Sequence, residues 1–148
     1  MSRQLALGGQ PVLVADAAEA QHLLNEQRSL NRLLLVDARV DDAWLVPLVR
    51  TATELGCRLV VCLGGGAEQV HRAVEAACEA EAAGHLVATS WHDWDADAEA
   101  AVDAFALFTT WVGGPPGSSL LVTEDAGLDT ILDAARTLSQ RRGQHRSQ

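Results

Sequence analysis

The sequence contains no lysine, and all eleven of its basic side chains are arginines. P-loop nucleotide hydrolases, Schiff-base enzymes and active phospho-receiver domains each need a lysine amine at a defined position. The absence of lysine therefore excludes all three activities.

Cysteine is scarce, and the three residues present, Cys57, Cys62 and Cys78, show no CxxC spacing. Disulfide scaffolds and zinc knuckles both require paired cysteines. The sequence therefore predicts buried thiols in a reducing compartment.

Long apolar runs are also missing, since no stretch approaches the ~20 residues that cross a bilayer. The segment Leu5–Leu7 after Arg3 is too short for the core of a signal peptide. We therefore expect a cytoplasmic protein without a membrane partner.

Acidic residues dominate the charge, with 20 acids and a formal net charge of -9. Residues 139–148 hold three arginines and no acid, so the rest of the chain carries eight arginines against all 20 acids. Such a body repels nucleic acid and favours basic protein surfaces or divalent cations. We predict one domain over residues 1–138 and a disordered basic tail over 139–148.

Five apolar runs alternate with helix-patterned segments, which predicts parallel βαβ units. The expected fold is a three-layer, Rossmann-like or flavodoxin-like α/β fold with a mainly parallel five-stranded sheet and helices on both faces. The expected strand order is 2-1-3-4-5 or 3-2-1-4-5, with a short additional edge strand within residues 4–9. The predicted strands are Val12–Ala15, Leu33–Val36, Leu59–Leu63, Leu86–Thr89 and Leu120–Thr123.

Acidic residues follow most of these strands, and the carboxyl ends of parallel strands share one edge of the sheet, here called the rim. Asp16, Asp37 and Asp93 are the candidate ligands of a metal, which at such carboxylates would be Mg²⁺ or Mn²⁺. Glu124 and Asp125 would lie on the same rim. The alternative is that these acids cap the following helices.

Three glycines, Gly64, Gly65 and Gly66, stand between the third predicted strand and its helix, where backbone amides can approach a phosphate. This segment resembles the Gly-Gly-x-Gly loop of the lysine-decarboxylase-like nucleotide-binding family, which implies a nucleotide site. Leu63, Ala67 and Glu68 replace the proline, last glycine and threonine of that motif. The alternative is a tight turn that requires a positive φ.

The strand and helix order also resembles phospho-receiver domains, with Asp16 after the first strand. Gly64 stands where the acceptor aspartate would be, and Glu124 follows the fifth strand in place of lysine. This resemblance implies an inert scaffold.

Histidine and cysteine offer a further catalytic hypothesis. If the third and fourth strands are neighbours, His92 could act as the base for a Cys62 nucleophile. His92 could instead bind a metal with Asp93 or Asp95, whereas a buried Cys62 would be inert.

Tryptophan is the commonest aromatic residue, and Trp44, Trp91 and Trp94 fall at predicted helix starts on the rim. The fourth helix carries two apolar stripes, and the second includes Leu107 and Trp111. Exposed aromatic anchors are typical of association surfaces, so these five residues are the predicted partner-binding set. The predicted partner is another protein or a second copy of the chain, unless the tryptophans fold back into the core.

The absence of a complete catalytic motif favours a small cytoplasmic binding or regulatory module that acts through protein–protein contacts. It would have no catalysis and no cofactor of its own. The alternative is a Mg²⁺- or Mn²⁺-dependent hydrolase or a nucleotide-binding protein that uses the acidic rim.

Overall fold

The computed structural model describes residues 3–7, 10–82, 84–107 and 118–146, and over these ranges the chain forms six strands and five α-helices. The strands are β1 (Arg3–Leu7), β2 (Gln10–Ala15), β3 (Leu30–Val36), β4 (Leu59–Leu63), β5 (Ala88–His92) and β6 (Ser118–Val122). The helices are α1 (Ala17–Asn25), α2 (Asp42–Glu54), α3 (Ala67–Glu79), α4 (Trp94–Leu107) and α5 (Asp125–Arg146), with a 3-10 turn at Gly84–Leu86.

The described strands form one sheet in the order β1-β2-β6-β3-β4-β5, in which only the β1–β2 pair is antiparallel. The predicted α/β class and mainly parallel sheet are confirmed, and a Rossmann-like layout is compatible with them. The sheet has six strands rather than five, because β1 adds an edge.

Both predicted strand orders are wrong, because β6 lies between β2 and β3. In the numbering of the five predicted strands, the observed order is 1-5-2-3-4. Apolar runs identify buried strands but carry no information about which strand lies beside which. A central strand is covered on both faces and therefore needs apolar residues on both. β6 meets this requirement, since Leu120 and Leu121 are fully buried.

Two hydrophobic cores cover the two faces of the sheet. The first core packs α1, α2 and α3 against one face, and the second packs α4 and α5 against the other. Residues of β4 alternate between the cores, with Val60 and Cys62 in the first and Val61 and Leu63 in the second. Burial on both faces explains why the predicted bounds of this strand are correct.

The helices after β2 and β3 cover the first face, whereas the helix after the intervening β6 covers the second. Neighbouring strands that send their helices to opposite faces leave a crevice at their carboxyl ends. The insertion of β6 therefore positions the candidate site.

The fourth predicted strand has the wrong bounds. Leu86 lies in the 3-10 turn, and β5 extends through Trp91 and His92, beyond the predicted end of the strand at Thr89. β5 is an edge strand of the described sheet and carries polar residues, so the apolar run is a poor guide to its position.

The ends of α2 and α5 have different causes. Gly56 has a φ of 92° just after α2, a conformation that glycine adopts readily where a helix ends. The last helix continues to Arg146, through residues predicted to form a disordered tail. Glutamine and arginine are favourable helix residues, so a lack of apolar anchors does not by itself end a helix. No helix within the described residues is long and apolar enough to span a bilayer.

Candidate functional site

A cavity of about 450 Å³ lies at the carboxyl ends of β2, β6 and β3, in the crevice described above. We call it the central cavity. Its walls are the start of α1, the loop after β3 with the first turn of α2, and the end of β6. The side chains that matter for its chemistry are Asp37, Arg39, Asp41, Trp44, Thr123 and Glu124.

Carboxylates cap α1 and α2, two of the helices that begin at this cavity. Asp16 accepts a hydrogen bond from the backbone N–H of Glu19 at 2.9 Å, and Asp41 accepts one from that of Ala43 at 3.1 Å. Each bond satisfies one of the amides left open at a helix start. The structure therefore shows Asp16 as a helix cap, which was the alternative to its prediction as a metal ligand.

The three predicted metal ligands occupy different positions on the rim. Asp37 lines the central cavity, and Asp16 caps α1 beside it. Asp93 follows β5, and β4 lies between that strand and β3. Among the residues that the structure describes, no group of three or more His, Cys, Asp or Glu side chains is placed to hold a metal ion.

The glycine turn after β4 is shaped by Asp37. Gly64 has a φ of 141°, and a Cβ at this position would overlap the Asp37 carboxylate. Asp37 itself has a φ of 50°, and its backbone N–H donates to the carbonyl oxygen of Leu63 at 2.8 Å. The turn therefore needs glycine at position 64 for a structural reason. A carboxylate this close also raises the electrostatic cost of a phosphate at Gly64, Gly65 and Gly66.

Trp44 is half-buried, and its indole N–H donates to the carbonyl oxygen of Ala17 at 2.7 Å. This bond connects the first turns of α2 and α1 and holds the ring in the wall of the central cavity. The sequence identified Trp44 as a rim residue but could not show this bond.

The remaining predicted partner-binding residues lie elsewhere. Trp91 is on the edge strand β5 with 44% of its surface exposed. The side chains of Trp94 and Leu107, and the whole of Trp111, lie outside the described residues. In the described part of α4, Phe105 is buried in the second core, and the helix packs against both the sheet and α5.

A second cavity, of about 520 Å³, lies beside the start of β5, and we call it the edge groove. Its acidic side chains are Glu75, Glu79 and Glu81, and Thr89 contributes from β5. His71 Nε2 lies 2.9 Å from Thr89 Oγ1 and 3.1 Å from Glu75 Oε1, which ties α3 to the strand. This groove was not predicted from the sequence.

The proposed Cys62–His92 pair is wrong. Cys62 is opposite Trp91 in the β4–β5 register, and His92 is opposite Leu63, so the two side chains point to opposite faces of the sheet. Cys62 is fully buried, and burial raises the pKa of its thiol to about 12. His92 Nε2 lies 3.2 Å from Ser90 Oγ. Its predicted metal partner Asp95 has no described side chain.

Arg32 was not predicted as a buried residue, because it lies just before the predicted strand Leu33–Val36, whereas the observed strand β3 includes it. Its guanidinium is buried in the second core, donates to the carbonyl oxygen of Phe105 and lies 5.7 Å from the centre of that ring. Burial lowers its pKa, and its Nε has no hydrogen-bond partner within the described structure. Arg32 is remote from the rim, and its contacts give it a packing role at the end of α4.

The fold and site together define a parallel α/β protein with a ligand-sized cavity at the carboxyl ends of its central strands. Residues 13–122 match the sequence profile of the domain of unknown function DUF7684, and the chain belongs to this family. The match begins in β2 and ends with β6, so it includes the five parallel strands and the helices between them. A search of curated protein sequences gives no match.

Proposed function

We propose that this chain is a small cytoplasmic binding or regulatory module that acts through protein–protein contacts, without catalysis of its own. The observation that supports this proposal is the edge strand β5, which presents an exposed tryptophan, Trp91, beside the acidic edge groove. The partner proposed for this surface is an extended basic segment of another protein.

Within the described residues, β5 is an edge strand, and its outer side faces no other strand of the sheet. The N–H of Ala88 donates to the carbonyl of Arg58 at 2.8 Å, and the carbonyl of His92 accepts from Gly64 at 3.1 Å, so these residues face β4. Because successive residues of a strand alternate, the backbone groups of Thr89 and Trp91 point away from β4. An extended peptide can pair with such groups by adding a strand to the sheet.

The side chains around β5 indicate the chemistry of the partner. Leu86, just before β5, is 48% exposed, and Trp91, within β5, is 44% exposed. Both give this edge of the sheet apolar surface. The three glutamates of the edge groove lie beside Thr89, on α3 and just after it. Apolar anchors next to acidic side chains favour a strand with basic and apolar residues.

Hydrogen exchange tests the open edge directly. We expect the amides of Thr89 and Trp91 to exchange much faster than that of Ser90, which faces β4 and serves as the control within the same strand. Equal protection of all three amides would show that the chain covers this edge itself and would contradict the proposal.

Peptide binding tests the chemistry of the partner. An extended peptide of alternating threonine and arginine should slow exchange at Thr89 and Trp91, whereas one of alternating threonine and glutamate should not. Trp91→Ala should abolish the effect. Leu132→Ala, which removes an exposed apolar side chain on α5, should leave it unchanged. Equal responses to both peptides would argue against recognition by charge.

The alternative function, a Mg²⁺- or Mn²⁺-dependent hydrolase or nucleotide-binding protein, would use the central cavity. This cavity lies on the predicted rim, and Asp37 lines it. A thermal melt with each metal and a nucleotide panel tests this function, since a ligand at 100 times its Kd adds about 2.7 kcal/mol of stability. A melt that none of these additions shifts would remove this candidate.

A further inference from the structure

The size and place of the central cavity suit a small molecule. Its volume of about 450 Å³ is within the range of about 300–1,000 Å³ that is typical of ligand pockets. It also lies at the point where the helices of neighbouring strands diverge, which is where open α/β sheets bind ligands.

The charges around the central cavity favour a cation. Among the side chains that the structure describes, Asp37, Asp41 and Glu124 line it, together with one cation, Arg39. The starts of α1 and α2 would otherwise attract an anion, but each is already capped by an aspartate. An anionic ligand would therefore meet carboxylates at the positions where phosphate usually binds.

The apolar part of the lining favours an organic cation over a metal ion. Trp44 contributes an indole ring whose N–H is already bonded to Ala17, so the ring is fixed in orientation and its contribution is its aromatic surface. Ala18, Val36 and Val122 add aliphatic surface beside it. Aliphatic and aromatic surface does not coordinate a metal ion, whereas it packs against the apolar or aromatic body of an organic cation.

We infer that the central cavity binds a small organic amine, with an aromatic or apolar body against Trp44 and its ammonium group among the carboxylates of Asp37, Asp41 and Glu124. This inference concerns the carboxyl ends of β2, β6 and β3 and is independent of the contacts proposed for β5. The two experiments observe different residues, so either can fail alone.

A matched series of three probes tests the sign of the charge. Phenethylamine, 2-phenylethanol and phenylacetate have similar bodies and differ in charge. At millimolar concentration, phenethylamine should shift the indole N–H resonance of Trp44 and the amide resonances of Ala18 and Glu124. We expect 2-phenylethanol to bind about tenfold more weakly and phenylacetate to bind more weakly still.

Two conservative substitutions test the residues. Glu124→Gln and Asp41→Asn should each weaken phenethylamine about threefold to tenfold, since each removes one charge. Asn is as good a helix cap as Asp, so Asp41→Asn should leave the melting temperature unchanged. Asp129→Asn, on the exposed side of α5, is the control and should not change binding.

Four results would overturn the inference. The first is tighter binding of phenylacetate than of phenethylamine, and the second is saturable binding that leaves the Trp44 resonance unmoved. The third is a phenethylamine response that survives the Glu124→Gln and Asp41→Asn changes combined. Absence of any shift with all three probes would equally contradict it.

Discussion

The central cavity and the edge strand β5 differ in how their backbone groups are satisfied. At the central cavity the chain supplies its own partners, since Asp16 and Asp41 cap the two helices and Trp44 bonds to Ala17. At β5, the groups of Thr89 and Trp91 point away from the sheet. The cavity is therefore formed before any ligand arrives, whereas the edge gains hydrogen bonds only by adding a strand.

The reactivity of Cys62 tests how firmly the first core is packed on β4, because this thiol lies in β4 and is covered by that core. We expect alkylation at pH 8 to be at least about 1,000-fold slower in the native protein than in the unfolded chain. Labelling that is fast without global unfolding would show that the first core opens locally.

The raised pKa of the Cys62 thiol predicts that the folded state loses stability at high pH. Burial raises the pKa of Cys62 from 9.0 to about 12, so the folded state retains the proton after the unfolded chain has lost it. The free energy of unfolding should therefore fall as the pH rises from 9 towards 12. Cys62→Ala should reduce this dependence, as measured by urea unfolding at each pH.

Gly64→Ala should be the most destabilising of the substitutions considered for the rim. The new Cβ would overlap the Asp37 carboxylate, and alanine disfavours a φ of 141°. We expect a loss of about 3 kcal/mol in the free energy of unfolding. Gly65→Ala is the matched control, because nothing lies within 4 Å of its Cβ, and it should change stability by less than about 1 kcal/mol. Equal effects of the two changes would contradict the role assigned to Asp37.

Asp16→Ala should have a smaller effect. It should lower the free energy of unfolding by about 1 kcal/mol, because it removes the cap of α1. Asp16→Asn and Asp16→Ser should cost little, since both side chains can accept the same bond from Glu19. If Asp16→Asn abolished a measurable activity without lowering the melting temperature, the carboxylate would have a chemical role.

Trp91→Thr should have the smallest effect on stability, within about 0.5 kcal/mol, because threonine suits a strand and much of the indole is already exposed. Peptide binding should nevertheless be lost. A large loss of stability would show that the indole is a packing element and would weaken the contrast between edge and cavity.

Self-association addresses the part of the prediction that concerns α4. We expect a dimer by light scattering across protein concentrations if the apolar stripe with Leu107 and Trp111 meets a second copy. A strict monomer at all concentrations would contradict self-association through α4. The proposed partner surface would then consist of β5 alone.

The sequence predicted the parts of this fold that depend on local burial. β4 was placed correctly because both of its faces are apolar, whereas β5 was shifted because an edge strand does not need apolar residues. Asp37 and Trp44 were each predicted to lie on the rim, but their contacts were not predicted. Their contacts with Gly64 and Ala17 depend on strand order and register, which hydropathy does not encode.

The position of β6 has a consequence for how the protein folds. β2 pairs only with β1 and β6 in the described sheet, so it can be linked to β3 only after β6, residues 118–122, has been made. The sheet must therefore close late, through contacts between residues about as far apart in sequence as Leu13 and Leu120. Closures of such long range are slow, and β3, β4 and β5 can assemble with α2 and α3 before them. The central cavity comes into existence only at that last step, so a ligand bound there would stabilise the completed sheet against its unclosed form.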